Sequence, residues 1–135
     1  MLHRLIYSSR SLCTAGEISA LLEDARRANE RMNVTGSLYL SGGTFLQYLE
    51  GEQVVVDKLF DRITCDRRHA ECNLLDRRPI SSRIFKNWSM AWLPQSPNAT
   101  LLMKTLLADN ETLHKVDGTP FGSFFYAMAH AGECR

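Results

Sequence analysis

Neither sign of charge predominates in this sequence. Its 16 Lys and Arg nearly cancel 15 Asp and Glu, leaving a formal net charge of +1. That balance argues against direct nucleic-acid binding, because neutralising phosphates takes a surplus of positive charge. No apolar run approaches the ~18 residues of a membrane span. The opening Met1-Leu2-His3-Arg4-Leu5-Ile6-Tyr7 has neither a secretory apolar stretch nor a small-residue cleavage site. The expectation is a cytoplasmic protein without membrane contact. The four cysteines, Cys13, Cys65, Cys72 and Cys134, include no C-x-x-C pair, so scattered reduced thiols fit better than a disulfide framework. His3, His69, His114 and His130 are not spaced as ligand pairs, so no metal site is expected. There is no G-x-G-x-x-G, no P-loop, no Ser/His/Asp or Cys/His arrangement and no carboxylate pair placed as acid and base. The sequons at Asn33, Asn98 and Asn110 read as chance matches in a chain that nothing marks as secreted. No internal repeat or low-complexity segment is present.

What is present is ordinary for a globular domain: 135 residues, 44% hydrophobic and 23% charged. Leu5 to Ser9 reads as a strand. Thr14-Ala15-Gly16-Glu17 is a capping box that opens a helix whose stripe is Ile18, Leu21, Leu22 and Ala25. Gly36 is read as ending the next turn. Leu38 to Leu49 then forms a hairpin around Gly42-Gly43, which supply the positive φ of a two-residue turn. Gly51 is read as a break. A second helix carries Val56, Leu59, Phe60 and Ile63, and further strands are expected near Cys72–Pro79 and Trp88–Leu93. The order β-α-β-β-α-β-β is an α+β, ferredoxin-like arrangement. Both hairpin strands are apolar on both faces, so the sheet needs two covers. Two helices supply one. The C-terminal stripes Leu102, Met103, Leu106, Leu107 and Phe121, Phe124, Phe125, Met128 supply the other.

Three polar side chains stand out from packing. Tyr7 lies in the first strand and Gln47 in the middle of an apolar strand. Asn29 is eleven residues after Ile18, which at about 100° per residue returns it to the apolar stripe. A buried amide without a partner costs ~1–3 kcal/mol, so Asn29 needs one. Parity puts Gln47 on the face of Phe45 and Leu49, where it shares a space with Asn29 if that face meets the helices. Two carboxamides suit a planar heterocycle with alternating C=O and N–H groups, such as the pyrimidine edge of a flavin. They equally suit a structural network with ordered water. Trp88, Met90 and Trp92 alternate, so they are expected on one face of the last strand, where core packing is the ordinary role. Arg68 and His69 follow the second helix and either bind an anion or are solvated.

The segments Leu5-Ile6-Tyr7-Ser8-Ser9, Asn29 through Thr35-Gly36, Phe45-Leu46-Gln47-Tyr48-Leu49-Glu50-Gly51, Asp66-Arg67-Arg68-His69 and Arg83 through Met90 occur in the order seen in BLUF domains. These are blue-light receptors that use flavin. The resemblance covers about residues 2–93; 94–135 resembles the helical cap of short members that lack an enzymatic output domain. It implies a non-covalent flavin, usually FAD, with FMN or riboflavin as alternatives, held between the two helices. It makes Tyr7 the photoactive tyrosine, Gln47 the switching glutamine and Asn29 a ligand of the ring edge. Asp66 and Arg68 fall near the ring and its chain, Leu21 and Ile63 flank the ring, and Trp88 and Met90 carry the signal. Trp92 is outside the family's motif. The resemblance implies a sensor rather than an enzyme, acting through a homo-oligomer or an unidentified downstream protein.

Two rival readings have different consequences. An acylphosphatase-like hydrolase on the same scaffold would use Asn33, Arg68 and Arg83, although no anion-cradling loop precedes them. A plain interaction module would be colourless.

Overall fold

The computed structural model describes residues 1–93, 101 and 119–130. Its elements are β1 (Leu2–Ser11), α1 (Ala15–Met32), β2 (Thr35–Ser41), β3 (Thr44–Glu52), α2 (Gln53–Thr64), β4 (His69–Pro79), β5 (Ala91–Leu93) and α3 (Thr119–His130). The five strands are ordered β4-β1-β3-β2-β5. β1 is antiparallel to both β3 and β4, β2 is antiparallel to β3, and the short β5 runs parallel to β2. This is the expected ferredoxin-like α+β sheet.

Local chemistry starts and stops these elements. The Glu17 carboxylate accepts the Thr14 amide N–H at 3.0 Å, the reciprocal half of the capping box at the start of α1. The helix ends where Asn33 turns left-handed (φ 56°), one of the few non-glycine residues to which that conformation is accessible. Gly42 (φ 58°) and Gly43 (φ 78°) make the hairpin turn, as expected.

The two covers divide the core. On one face Leu5, Tyr7, Leu38, Phe45 and Leu49 pack with Leu21 of α1 and Val56 and Leu59 of α2. On the other, Ile6, Tyr39, Leu46 and Tyr48 pack with Phe121, Phe124, Phe125 and Met128 of α3. The rings interlock edge to face, as in Tyr39–Phe124 and Phe124–Phe125, with centroids 5.1 and 5.2 Å apart. The stripe expected at Leu102–Leu107 lies outside the described residues.

Several boundaries differ from the sequence reading. β1 is longer than Leu5–Ser9, because its ladder to β3 runs from Leu2 opposite Glu52 to Arg10 opposite Thr44. β4 likewise begins at His69 rather than near Cys72. Gly36 lies inside β2 rather than at a turn, and a Cβ there would collide with the Tyr48 carbonyl oxygen. Gly51 does not break the chain: it pairs with His3, and β3 passes directly into α2. The last strand begins only at Ala91. Before it, backbone groups satisfy one another locally, with Trp88 N–H donating to Phe85 O at 3.0 Å.

Candidate functional site

Tyr7 and Gln47 are partners across the β1–β3 ladder, and Gln47 also faces Leu38 across β2–β3. Residues directly opposite project to the same face. The Tyr7 hydroxyl donates to Gln47 Oε1. The other end of that amide, Nε2, donates to Met90 Sδ at 3.5 Å. Hydrogen bonds therefore run from the first strand through the centre of the sheet to the entrance of β5. All three side chains are buried. Burial, the largest cause, pushes the Tyr7 phenol well above its ordinary range, with Cys72 and Asp66 adding to it. Tyr7 is accordingly a neutral donor at physiological pH.

Gln47 forms part of the wall of a cavity of about 660 Å³ between α1 and α2. Leu21, Leu38, Leu59 and Ile63 give it apolar surface, and Asn29, Asp66 and Arg68 also line it. Asn29 is 1% exposed and donates from Nδ2 to the Ser89 carbonyl at 2.7 Å, tying α1 to the segment before β5. Arg26 makes a parallel tie to the Met90 carbonyl at 2.9 Å. Arg68 holds Asp66 at 2.8 Å and reaches Asp24 on α1 at 3.0 Å, joining the chain after α2 to the first helix. The hydrogen bond from Arg68 is the main reason the Asp66 carboxyl sits below its usual range.

Of the residues singled out in the sequence, Asn29, Gln47, Leu21, Ile63, Asp66 and Arg68 thus line one space. Tyr7 and Met90 sit behind Gln47. Trp88 does not join them. It is 38% exposed in the bend before β5, so the expected common face of Trp88, Met90 and Trp92 is incorrect. Alternation of faces holds only where the backbone is extended. Met90 and Trp92 do meet the α1/α2-side core.

The sequence reading missed two features and left a third open. Arg26 gave no signal, because its partner is a main-chain oxygen 64 residues away. Arg31 and Arg62 line the cavity; their places in the last turns of two helices were legible, their convergence was not. His69, left open as anion ligand or solvated, lines the cavity and binds Ser9 Oγ through Nδ1 at 2.8 Å. Burial, the largest cause, holds its pKa below the usual histidine value.

The cavity fits a flavin. Its size is in the range of small-molecule sites, roughly 300–1,000 Å³, and it combines apolar walls with two carboxamides suited to a planar heterocycle. The hydrolase alternative has no support in the site. Asn33 offers its main-chain carbonyl to Arg83, and Arg68 is engaged by two aspartates.

Comparisons with known proteins agree. The family described as "BLUF: Sensors of blue-light using FAD" matches residues 2–91. Photoactivated adenylate cyclase subunit alpha of Euglena gracilis is 33% identical over 93 residues, covering 66% of this chain and 9% of that protein. The chain spans about a tenth of the length of the curated relatives it matches. Among solved structures, the photo-activated state of BlsA is similar over 100% of this chain and 99% of that one, with TM-score 0.84 and 27% identity. The dark-state structure of BlrB, a BLUF protein, covers 96% of each chain with TM-score 0.76 and 29% identity. Among the described residues no helix is long and apolar enough to cross a membrane. A flavin-sized cavity walled by the Gln47 amide, the Tyr7 hydroxyl behind it and the family match over residues 2–91 lead to one conclusion: this chain belongs to the BLUF family of flavin-binding blue-light sensors.

Proposed function

We propose that this chain senses blue light through the Gln47 amide, with Tyr7 as its donor and Met90 as its outlet. The observation that carries this reading is the hydrogen-bonded series Tyr7 Oη, Gln47 Oε1, Gln47 Nε2, Met90 Sδ. When bound and excited by blue light, a flavin supplies a strong oxidant beside a phenol, an ordinary electron and proton donor. The protein's part is to hold that phenol protonated, dry and oriented. Gln47 has one donor end and one acceptor end, so rotation or tautomerisation of its amide exchanges what Tyr7 and Met90 meet. Two such hydrogen-bond arrangements make a bistable element. Met90 leads directly into β5, which pairs with β2.

Asn29, Asp66 and Arg68 hold the flavin, with Leu21 and Ile63 against its ring. Their lining of one cavity supports this. FAD is the proposed species, in keeping with the family description. Trp88 is kept as a signalling residue of a different kind, since its exposed ring can change cover when Met90 moves. Residues 2–93 are proposed as the sensor and 94–135 as its helical cap, acting on a second copy or a downstream protein in the cytoplasm. We assign no enzymatic activity to the chain itself. The cyclase named in the curated relatives belongs to proteins of which this chain matches about a tenth.

Absorption spectra of the purified chain before and after blue light test the proposal. A flavin spectrum that shifts to the red and returns in the dark is the expected result. A colourless protein that takes up no flavin, or a bound flavin without a reversible shift, would refute it.

A further inference from the structure

We propose that Arg26 is a positioning residue of the light switch: it holds the Met90 main chain so that Sδ stays within reach of the Gln47 amide, and thereby sets how long the lit arrangement lasts. The inference rests on the light-sensing reading above.

A thioether sulfur is a weak acceptor on an unbranched, adaptable side chain. The 3.5 Å contact from Gln47 Nε2 to Met90 Sδ therefore depends on where the Met90 main chain is held. The sheet does not hold it. Ser89 and Met90 lie in a bend, and the ladder to β2 begins one residue later, at Ala91 opposite Ser37. Three successive carbonyls before that ladder are fastened instead. Trp88 O accepts the Gly36 N–H at 3.1 Å, Ser89 O accepts from Asn29 Nδ2 at 2.7 Å, and Met90 O accepts from Arg26 Nε at 2.9 Å. Arg26 and Asn29 are three apart on α1, so they share a face and reach neighbouring carbonyls.

The three ties are not equivalent. Gly36 donates from the main chain of β2, and Asn29 also lines the cavity. Arg26 is half-buried and lies outside the cavity wall, and its charged donor ends on the residue that Gln47 meets. A charge-assisted hydrogen bond is stronger than a neutral one. Its loss should leave the flavin site intact but loosen Met90, shifting the balance between the two arrangements of the Gln47 amide.

The test compares wild type, Arg26→Met and Arg26→Lys, each with Met90 present and with Met90→Leu. Flavin affinity, urea unfolding and the rate of dark recovery after blue light are measured on the full chain. Arg26→Met keeps the apolar stem and loses the donor. It should bind flavin within about twofold of wild type and change the recovery rate by roughly three- to tenfold. The sign of that change tells which arrangement the anchored Met90 favours. Arg26→Lys retains a charged donor and should recover within about twofold of wild type. With Leu at position 90 there is no sulfur to position, so Arg26→Met should then alter the rate by less than about twofold. An Arg26→Met protein that recovers at the wild-type rate overturns the proposal, whether or not its stability falls. So does an equal change in the Met90→Leu background, a lysine variant as altered as the methionine one, or a loss of flavin affinity that accompanies the change in rate. A wild-type protein that takes up no flavin refutes the underlying reading, and this proposal with it.

Discussion

The carboxylate of Glu50, wholly buried in β3, accepts the main-chain N–H groups of Ile84 at 2.9 Å and Phe85 at 2.7 Å. Arg83 alongside donates to Glu50 O, Thr35 Oγ1 and Asn33 O at 2.8–2.9 Å. These contacts anchor the segment that leads to Met90, and Gly36 N–H fastens it again at Trp88 O. Glu50→Ala should orphan two amides and lower stability by about 2–4 kcal/mol, measured by urea unfolding. Burial, the largest cause, raises the Glu50 pKa above the ordinary carboxylate value. A raised acid binds its proton more tightly when folded. Its contribution is therefore full below the ordinary value and is lost as pH rises to the raised one. Glu50→Gln, which can still accept from both amides, should flatten that part of the stability–pH curve. An unchanged slope would contradict the assignment.

Tyr7→Phe keeps the ring contact with Phe60, whose centroid is 5.2 Å away, and removes only the hydroxyl. Flavin should remain bound. The reversible red shift should be lost or reduced at least tenfold in yield, as read by absorption under blue light. A normal photocycle would remove Tyr7 from the donor role.

Gln47→Leu is close in volume, so folding should survive, at a cost of about 1–3 kcal/mol for the Tyr7 hydroxyl left buried without a partner. It deletes both hydrogen bonds, to Tyr7 and to Met90. The expected protein is yellow and gives no light-induced shift. A normal shift in this variant would show that the amide is not the switch.

Asn29→Ala breaks the tie to Ser89 O. The flavin-free protein should lose about 1–2 kcal/mol in urea unfolding. If the carboxamide also meets the flavin, affinity should fall by a further one to two decades, equivalent to ~1–3 kcal/mol. Flavin titration separates the effects: a stability loss with unchanged affinity would confine Asn29 to the tie between α1 and Ser89.

Sequence spacing alone was enough for the two sensor helices, the Gly42-Gly43 hairpin, the α3 stripe of Phe121, Phe124, Phe125 and Met128, and the faces of Asn29 and Gln47. Each depends on chain geometry within a few turns or residues, where the helical period or strand alternation leaves little choice. Only the tertiary structure decided which of these faces meet. Tyr7 reaches Gln47 because β1 and β3 pair in one register, although the two residues are 40 apart in the chain. Asn29 finds Ser89, and Arg26 finds Met90, because the fold brings α1 against the segment before β5, 60 or more residues further along the chain. Trp88 turned outward because that segment is bent and tied to β2 and β3 rather than extended. A local pattern specifies direction along its own element; its neighbours are chosen by the packing of distant segments, whose loop-closure cost and burial are settled for the whole fold together.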